Sequence, residues 1–268
     1  MNIVDQVNLR TMRSAAAVEA YSRQHGGMQR RELAMLERVA QEARGKSILD
    51  IGVGGGRTVA ALLALSPDYL GVDNSPEMIA ACKRRFPETR FDLADARKLS
   101  NLADGSIFLA MFSCNGIGMV SHDDRLLILG EVFRVLQPGG LFLFSTHNQN
   151  SAEHTAGFQF PEYEFSINPA RLLVRSARFV KATLTRLVNR SRFRKHDVRT
   201  PEYSMINDKC HDYGTMLYYI SLRNQRRQLE SIGFAKDAEA YDADGSVIQS
   251  DTSRDSLALI ARKPADAA

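Results

Sequence analysis

The sequence has 268 residues, of which 44% are hydrophobic and 25% charged, as expected of one globular domain with room for an insertion. The three cysteines, Cys82, Cys114 and Cys210, form no CxxC pair, which argues against a disulfide framework and a structural zinc site. No segment has the character of a signal peptide or approaches the roughly 20 apolar residues of a membrane-spanning helix, so we expect a cytoplasmic protein. The net charge is only +4, but residues 165–196 contain no acidic residue.

Helical and strand-like segments alternate along most of the chain. Residues 7–43 carry apolar residues at helical spacing, and this pattern predicts a helix that ends near Gly45. The predicted strands cover residues 47–52, 69–73, 90–93, 106–113, 141–145, 234–241 and 256–262. Because nearly continuous apolar strands that alternate with helices are typical of a parallel sheet covered on both faces, we expect a mostly parallel, seven-stranded α/β fold.

The alternation stops after the fifth predicted strand and resumes about sixty residues later, which indicates an insertion within one domain. The predicted organisation is an N-terminal helical cap over residues 1–46 and a split α/β domain formed by residues 47–147 and 213–264. Residues 148–212 form the insertion, which we expect to be largely helical and to act as a basic lid or substrate region.

A glycine-rich segment, ILDIGVGGGRT at residues 48–58, lies at the turn between the first predicted strand and the next helix. Glycines there let the backbone turn tightly and let a ligand lie against it. A dinucleotide fingerprint counted from Gly52 would need a glycine where Arg57 stands, and the GK[ST] of a P-loop is also absent. The loop alone therefore leaves nicotinamide, flavin and S-adenosylmethionine binding open.

Three further features follow the loop in order. Asp73 ends the second predicted strand about twenty residues after Gly52, where a carboxylate accepts both ribose hydroxyls of a nucleoside. Asp95 and Ala96 follow the third predicted strand, and FRVLQPGGL at residues 133–141 joins a helix to the fifth. Together these features resemble the class I S-adenosylmethionine-dependent methyltransferases, closely over residues 48–144 and loosely over the last forty residues.

The resemblance implies a Rossmann-like fold, S-adenosylmethionine as the cofactor and no metal. It assigns Asp95 to the adenine amino group and the backbone amide of Ala96 to the adenine ring. The residues that it places at the cofactor are Tyr21, Asp50, Gly52, Gly54, Asp73, Asn74, Asp95, Ala96 and Ser113. Two of them fit a second role, because Asp50 also suits a residue that ties down the glycine loop and Tyr21 also suits a surface or packing tyrosine.

The segment Ser113-Cys114-Asn115-Gly116 follows the fourth predicted strand, where the family places its substrate-facing motif. Methylases of amino groups in nucleic-acid bases carry (Asp/Asn)-Pro-Pro-aromatic at that point, so its absence counts against this activity. The nucleophilic cysteine of cytosine-carbon methylation usually follows proline, whereas Cys114 follows serine. We therefore interpret Cys114 as a small buried residue.

Methyl transfer leaves the protein chiefly to position the acceptor and to remove its proton. His147 follows the fifth predicted strand, at the sheet edge that carries the glycine loop, and a histidine suits a general base. His211, in Lys-Cys-His-Asp-Tyr before the alternation resumes, is the rival candidate. For both, a merely structural histidine is the alternative. Either Tyr218 or Tyr219 is expected to line the acceptor pocket.

Within the insertion, Leu173, Ala177, Val180, Leu184 and Leu187 recur at helical spacing, with arginines mainly on other faces. This pattern predicts an amphipathic helix with a cationic side. One interpretation is a cap over the cofactor site. The other is contact of residues 169–196 with an anionic membrane surface, a lipid-linked substrate or nucleic acid, of which nucleic acid is disfavoured because aromatic residues are sparse.

These observations predict a methyltransferase that acts on a small molecule or glycan, which could be anionic, at oxygen or nitrogen. The alternatives are an RNA methyltransferase and a non-catalytic S-adenosylmethionine-binding partner protein.

Overall fold

The computed structural model describes residues 2–22 and 27–266. In this part of the chain eleven strands form one sheet, with a main path in the order β10-β9-β11-β5-β4-β1-β2-β3. The strands are β1 (Ile48–Ile51), β2 (Tyr69–Asp73), β3 (Phe91–Leu93), β4 (Ile107–Phe112), β5 (Leu136–Asn148), β6 (Val198–Arg199), β7 (Ser204–Asp208), β8 (Thr215–Ile220), β9 (Glu239–Tyr241), β10 (Val247–Ile248) and β11 (Leu257–Arg262). The helices are α1 (Ile3–Met12), α2 (Ala15–Ser22), α3 (Arg30–Ala43), α4 (Val59–Leu65), α5 (Pro76–Arg85), α6 (His122–Val135), α7 (Ala152–Thr155), α8 (Pro169–Phe193) and α9 (Leu222–Ile232).

The sheet is parallel from β3 to β5 and antiparallel beyond β5. Successive side chains of its central strands point to opposite faces of the sheet, and both faces are buried. Leu49 and Ile51 of β1 belong to the apolar cluster under α6 and α9, whereas Ile48 belongs to the cluster under α3, α4 and α5. The expectation of a mostly parallel α/β sheet covered by helices on both faces is confirmed.

The strand count differs from the seven expected. The main path gains the short edge strand β10, and β6, β7 and β8 form an antiparallel ribbon. The ribbon joins the sheet because β5 runs on to Asn148 and pairs His147 and Asn148 with Tyr219 and Ile220 of β8. Thus the segment after β5 contains strands as well as helices.

Segment 216–220 has the pattern of a strand and forms most of β8, whereas polar side chains inside the ribbon explain why β7 was not predicted. Asn207 is buried in β7 and donates from Nδ2 to the carbonyls of Tyr213 and Thr215 at 2.8 and 2.9 Å. Asp208 accepts from the hydroxyl of Tyr219 at 2.8 Å. A buried polar residue is tolerated when its hydrogen bonds are made, but it breaks the apolar alternation that marks a strand in a sequence.

The N-terminal region contains α1, α2 and α3 instead of one continuous helix. The apolar face of α3, with Met35 and Val39, packs on the sheet. By contrast, α1 packs Val4 and Val7 on the ribbon, beside Met216 of β8. This position brings α1 over the carboxyl ends of the parallel strands. In the described residues no helix combines the length and the apolar character that a membrane span requires.

Candidate active site

A cavity of about 210 Å³ lies at the carboxyl ends of β1, β2 and β4. In open α/β sheets this edge is where ligands bind. Its floor is the glycine loop after β1, one side is the turn after β2, and the opposite side is the segment after β3. The cavity is closed from above by Tyr21 of α2 and by four residues of α1, namely Asp5, Asn8, Leu9 and Met12.

The glycine loop has a backbone that L side chains rarely adopt. Gly52 and Gly54 have φ values of +64° and +54°, a region that glycine enters without strain. A Cβ at Gly52 would also lie 2.6 Å from Cε2 of Phe112. Both glycines line the cavity, so the close approach between the loop and a ligand depends on the missing side chains.

Asp73, at the end of β2, lies across from this loop. Its Oδ2 accepts from the amide of Gly54 and its Oδ1 from the amide of Ser75, both at 2.9 Å. Burial raises the pKa of Asp73 above its ordinary value, although these backbone donors act in the opposite direction. Each oxygen keeps a second lone pair, and the carboxylate lines the cavity, so it can accept from a diol there. Asn74 lines the same wall.

Asp95 and Ala96 line the cavity after β3. The carboxylate of Asp95 forms a bidentate ion pair with Arg97, with Oδ2 2.6 Å from Nη2. Arg97 in turn lies 2.6 Å from Oδ2 of Asp5 on α1. Burial raises the pKa of Asp95, but its hydrogen bonds with Arg97 outweigh burial and leave that pKa below its ordinary value. The ion pairs therefore tie the covering helix α1 to the loop after β3.

Asp50 is the one predicted cofactor residue that does not line the cavity. It is fully buried in β1, and its Oδ2 accepts from the hydroxyls of Thr58 at 2.5 Å and Tyr69 at 2.9 Å. Burial raises the pKa of Asp50 to about 6. These contacts fasten the end of the glycine loop to β2, which is the structural role left open for this residue in the sequence.

The cavity is also lined by Tyr21, Arg57, Ser113 and Cys114. The interpretation of Cys114 as a buried residue is wrong, because its side chain is exposed at the cavity. Arg57 makes a bidentate ion pair with the buried Glu32, at 2.6 and 2.7 Å, and donates to Oγ of Ser113 at 3.3 Å. Burial raises the pKa of Glu32, but the pairing with Arg57 outweighs it and holds that pKa below its ordinary value. The charge of Arg57 is therefore balanced inside the protein.

Neither predicted base lines the cavity. His147 lies on β5 with its ring tilted against Tyr219, at a centroid distance of 5.0 Å, and burial lowers its pKa to about 4. Nε2 of His211 lies 3.5 Å from the hydroxyl of Tyr21, which does line the cavity. Burial also lowers the pKa of His211. The two histidines thus lie in different places, and His211 is the one that contacts a cavity residue.

The two candidate acceptor tyrosines are also absent from the cavity wall. Both lie in β8 and are buried. The hydroxyl of Tyr218 contacts Nδ1 of His122 at 2.8 Å, and Tyr219 donates to Asp208. Both tyrosines therefore support the ribbon.

The sequence did not reveal several cavity residues. Arg57 was noted only because it replaces a glycine, and its partner Glu32 is far away in sequence. The contribution of α1 was missed because Asp5 and Asn8 are ordinary polar residues of a short helix. Both residues are buried together with Val4 and Val7, and this burial is visible only in the tertiary structure.

Comparison with known proteins finds methyltransferases that are similar to this chain. The model described as "Methyltransferase domain" matches residues 48–140. A probable S-adenosylmethionine-dependent methyltransferase of Mycolicibacterium smegmatis is 27% identical over 121 residues, 45% of this chain and 45% of that protein. A demethylmenaquinone methyltransferase of Beutenbergia cavernae is 33% identical over 117 residues, 42% of this chain and 47% of that protein. The chain thus spans less than half of the length of these curated relatives.

A solved structure of an S-adenosylmethionine-dependent methyltransferase from Clostridium acetobutylicum aligns with 93% of this chain and 97% of its own, with a TM-score of 0.62 and 12% identity. That likeness shows a shared Rossmann-like fold. The segment matched by the family model contains the glycine loop, Asp73 and Asp95, which meet at the cavity. Over residues 48–140 the chain is therefore similar to S-adenosylmethionine-dependent methyltransferases.

Proposed function

We propose that the chain transfers the methyl group of S-adenosylmethionine to an oxygen or nitrogen of a small organic acceptor. The observation that carries this proposal is one cavity whose lining combines two kinds of group. The Asp73 carboxylate and the bare glycine backbone suit a nucleoside, and the hydroxyls of Tyr21 and Ser113 suit a polar acceptor.

The residues present fit the cofactor. Asp73 is half-buried, lines the cavity and keeps lone pairs for the ribose hydroxyls. Gly52 and Gly54 leave room for the methionine part, and the backbone of Ala96 is available for the adenine ring. When bound, S-adenosylmethionine supplies a sulfonium methyl group, which an acceptor nucleophile attacks in line.

The chain's own part is to hold the acceptor, exclude water and take up a proton. Leu9 and Met12 of α1, together with Met119, give the cavity apolar walls, which restrict the access of water. The hydroxyls of Tyr21 and Ser113 can orient an acceptor by hydrogen bonds. A proton that leaves the acceptor can reach His211 through the Tyr21 hydroxyl, at 3.5 Å.

Charge at the cavity favours a small neutral acceptor over RNA. The two arginines in its wall, Arg57 and Arg97, are both paired with carboxylates. Phosphate binding by RNA-binding proteins relies on available cations, and neither arginine offers one. The relative from Beutenbergia cavernae is named for demethylmenaquinone, a small-molecule acceptor, which agrees with this reading.

The test is transfer of labelled methyl from S-adenosylmethionine by the purified chain, with quinols, phenols, amines and transfer RNA as acceptors. We expect turnover with a small acceptor and none with RNA. His211→Ala should then lower turnover by about 10²-fold or more without loss of cofactor affinity, since general base catalysis contributes roughly 10²–10⁴-fold. The comparison variant is His147→Ala, which removes the other candidate histidine. Methylation of RNA alone, or tight cofactor binding without any transfer, would contradict the proposal.

A further inference from the structure

The helix α8, the longest in the described residues, turns its apolar side away from the protein. Along its 25 residues only Phe193 is buried. Leu173 is 73% exposed and Leu184 is 58% exposed. The exposed aliphatic side chains of α8 are Leu173, Val174, Val180, Leu184, Leu187 and Val188. This is the reverse of a cap that packs its apolar side on the domain.

The polar side of α8 faces the rest of the chain. Arg186 donates from Nε to Oδ1 of Asp212 at 2.7 Å, and Asn189 donates to the carbonyl of Asp212 at 2.9 Å. Arg190 donates to the carbonyl of Asn207 on β7. The helix is therefore fixed by hydrogen bonds on one side, and its apolar stripe is left without a partner among the described residues.

Cations line one flank of this stripe. At about 100° per residue, Lys181 lies beside the leucines, and Arg178 and Arg171 follow further around the helix, towards its polar side. All three are exposed, and in the described part of the chain no acidic side chain pairs with them. Arg175 differs, because it pairs with Glu164. The flank thus presents uncompensated positive charge beside an apolar surface.

The segment before α8 continues the apolar surface. Phe165 is 70% exposed and Ile167 is 95% exposed. Tyr163 holds this segment against the helix, since its ring meets that of Phe179 edge-on at 5.3 Å. Its hydroxyl lies 3.0 Å from that of Ser176. Contiguous exposed apolar surface of this kind marks an interaction site.

We propose that α8 and residues 165–168 dock this chain on the surface of an anionic lipid bilayer. The apolar stripe enters the boundary between headgroups and acyl chains, and Arg171, Arg178 and Lys181 meet lipid phosphates. An amphipathic helix with an apolar face and a lysine- and arginine-rich edge binds membranes in this way. This docking is a property of the surface and goes beyond the proposed methyl transfer.

Two other occupants fit the surface less well. A second copy of the chain would bring its own α8, and residues 165–196 contain no acid that could meet the cations. Nucleic acid would match the cations but would leave the leucine stripe exposed to water. A bilayer with anionic headgroups matches both the charge and the apolar area.

The experiment is co-sedimentation of the full chain with phosphatidylcholine vesicles, with and without phosphatidylglycerol. We expect binding only to the anionic vesicles. The triple variant Arg171→Gln, Arg178→Gln, Lys181→Gln should reduce the partition coefficient by about 10- to 100-fold, because each cation near an anionic surface contributes measurably. The matched control removes three exposed cations elsewhere, Lys83→Gln, Arg84→Gln, Lys236→Gln, and should retain nearly all binding.

The apolar stripe is tested separately. Leu173→Gln with Leu184→Gln should reduce binding by about tenfold or more, since apolar area buried in the interface sets the affinity. The control double variant, Leu127→Gln with Val247→Gln, changes side chains of similar exposure on other faces. All variants should keep their affinity for S-adenosylhomocysteine, which confirms that they are folded and separates this test from that of the proposed function.

A reporter tests insertion directly. The chain contains no tryptophan, so Leu184→Trp places a single fluorophore on the stripe and Leu127→Trp places one elsewhere. We expect anionic vesicles to shift the emission of the first variant to the blue, and brominated lipids to quench it, with no change in the second. The proposal is overturned by failure of the chain to bind anionic vesicles or by equal loss in the control variants. The proposal would also be overturned if the chain self-associated and the double variant Leu173→Gln, Leu184→Gln abolished that association. Binding of RNA in place of vesicles would overturn it as well.

Discussion

At the scale of single residues, Asp50 and Asp73 are two carboxylates near the glycine loop that have different environments. Asp73 lines the cavity and has two backbone donors, whereas Asp50 is enclosed in the protein with two hydroxyl donors. Both have a raised pKa because of burial. Their pH dependence should therefore appear in different measurements, cofactor affinity for Asp73 and folding stability for Asp50.

Asp73→Asn should weaken S-adenosylmethionine binding by about 2 kcal/mol, within the roughly 1.5–3 kcal/mol of a hydrogen bond to a charged group. Ribose hydroxyls donate to the ionised carboxylate, so protonation competes with binding. Affinity of the wild type should fall on acidification at a pH above the usual 3.8, because burial raises the pKa in the free protein. Titration calorimetry across pH measures both effects. The exposed Asp92→Asn is the control, and an unchanged affinity in Asp73→Asn would place the ribose elsewhere.

Asp50→Asn should remove a pH dependence of stability. The folded pKa is about 6 against an ordinary 3.8, so the native state holds this proton more tightly than the unfolded chain. Stability from this group is full below pH 3.8 and is lost as pH rises through 6, by up to about 3 kcal/mol at roughly 1.4 kcal/mol per pKa unit. Denaturant unfolding of both proteins across this range measures the difference. If the two curves ran parallel, burial would not raise the pKa of Asp50 as described.

At the scale of elements, the sequence predicted what local pattern determines. The strands that became β1, β2, β4 and β11 were predicted within one or two residues, because they are short, apolar and bounded by glycine, proline or polar residues. Loop positions 52 and 54 were predicted at the cavity because glycine reports backbone geometry directly. These signals are local, and no distant contact alters them.

Elements fixed by distant contacts were not predictable. The ribbon strand β7 depends on the buried hydrogen bonds of Asn207, and the position of α1 depends on its packing on β8. Equally, the side of α8 that faces the protein could not be inferred from its amphipathic pattern, because polar contacts instead of apolar ones attach it. His147 was expected at the ligand edge from its place after β5, but its ring contacts Tyr219 and does not line the cavity.

Asn8 is the residue through which α1 depends on a distant element. Its Nδ2 donates to the carbonyls of Met119 at 2.7 Å and Met216 at 2.8 Å, and its Oδ1 accepts from the amide of Met216 at 2.9 Å. Asn8→Ala leaves these buried groups unsatisfied and should cost about 2–3 kcal/mol of unfolding free energy. Arg10→Ala, exposed on the same helix, should cost less than about 0.5 kcal/mol. Equal effects in denaturant unfolding would show that the bonds of Asn8 do not fix α1.

At the scale of the whole molecule, the cavity combines parts far apart in the chain. Its floor is the α/β sheet, its cover is α1 with Tyr21, and that cover rests on the ribbon strand β8. A ligand that fills the cavity contacts floor and cover together. Binding should therefore stabilise α1 as well as the glycine loop, because a ligand stabilises the state that binds it.

The last prediction follows from this arrangement. S-adenosylhomocysteine at about 100 times its Kd should add about 2.7 kcal/mol to the unfolding free energy. Hydrogen exchange should slow in three places, the glycine loop, the turn after β2 and α1, since opening of α1 requires separation of the Arg97–Asp5 ion pair across a filled cavity. Asp5→Asn should keep the protection of the loop and lose most of that in α1. Protection confined to the loop and the β2 turn in the wild type would mean that α1 does not close on the ligand, and α1 would then be a support for the ribbon alone.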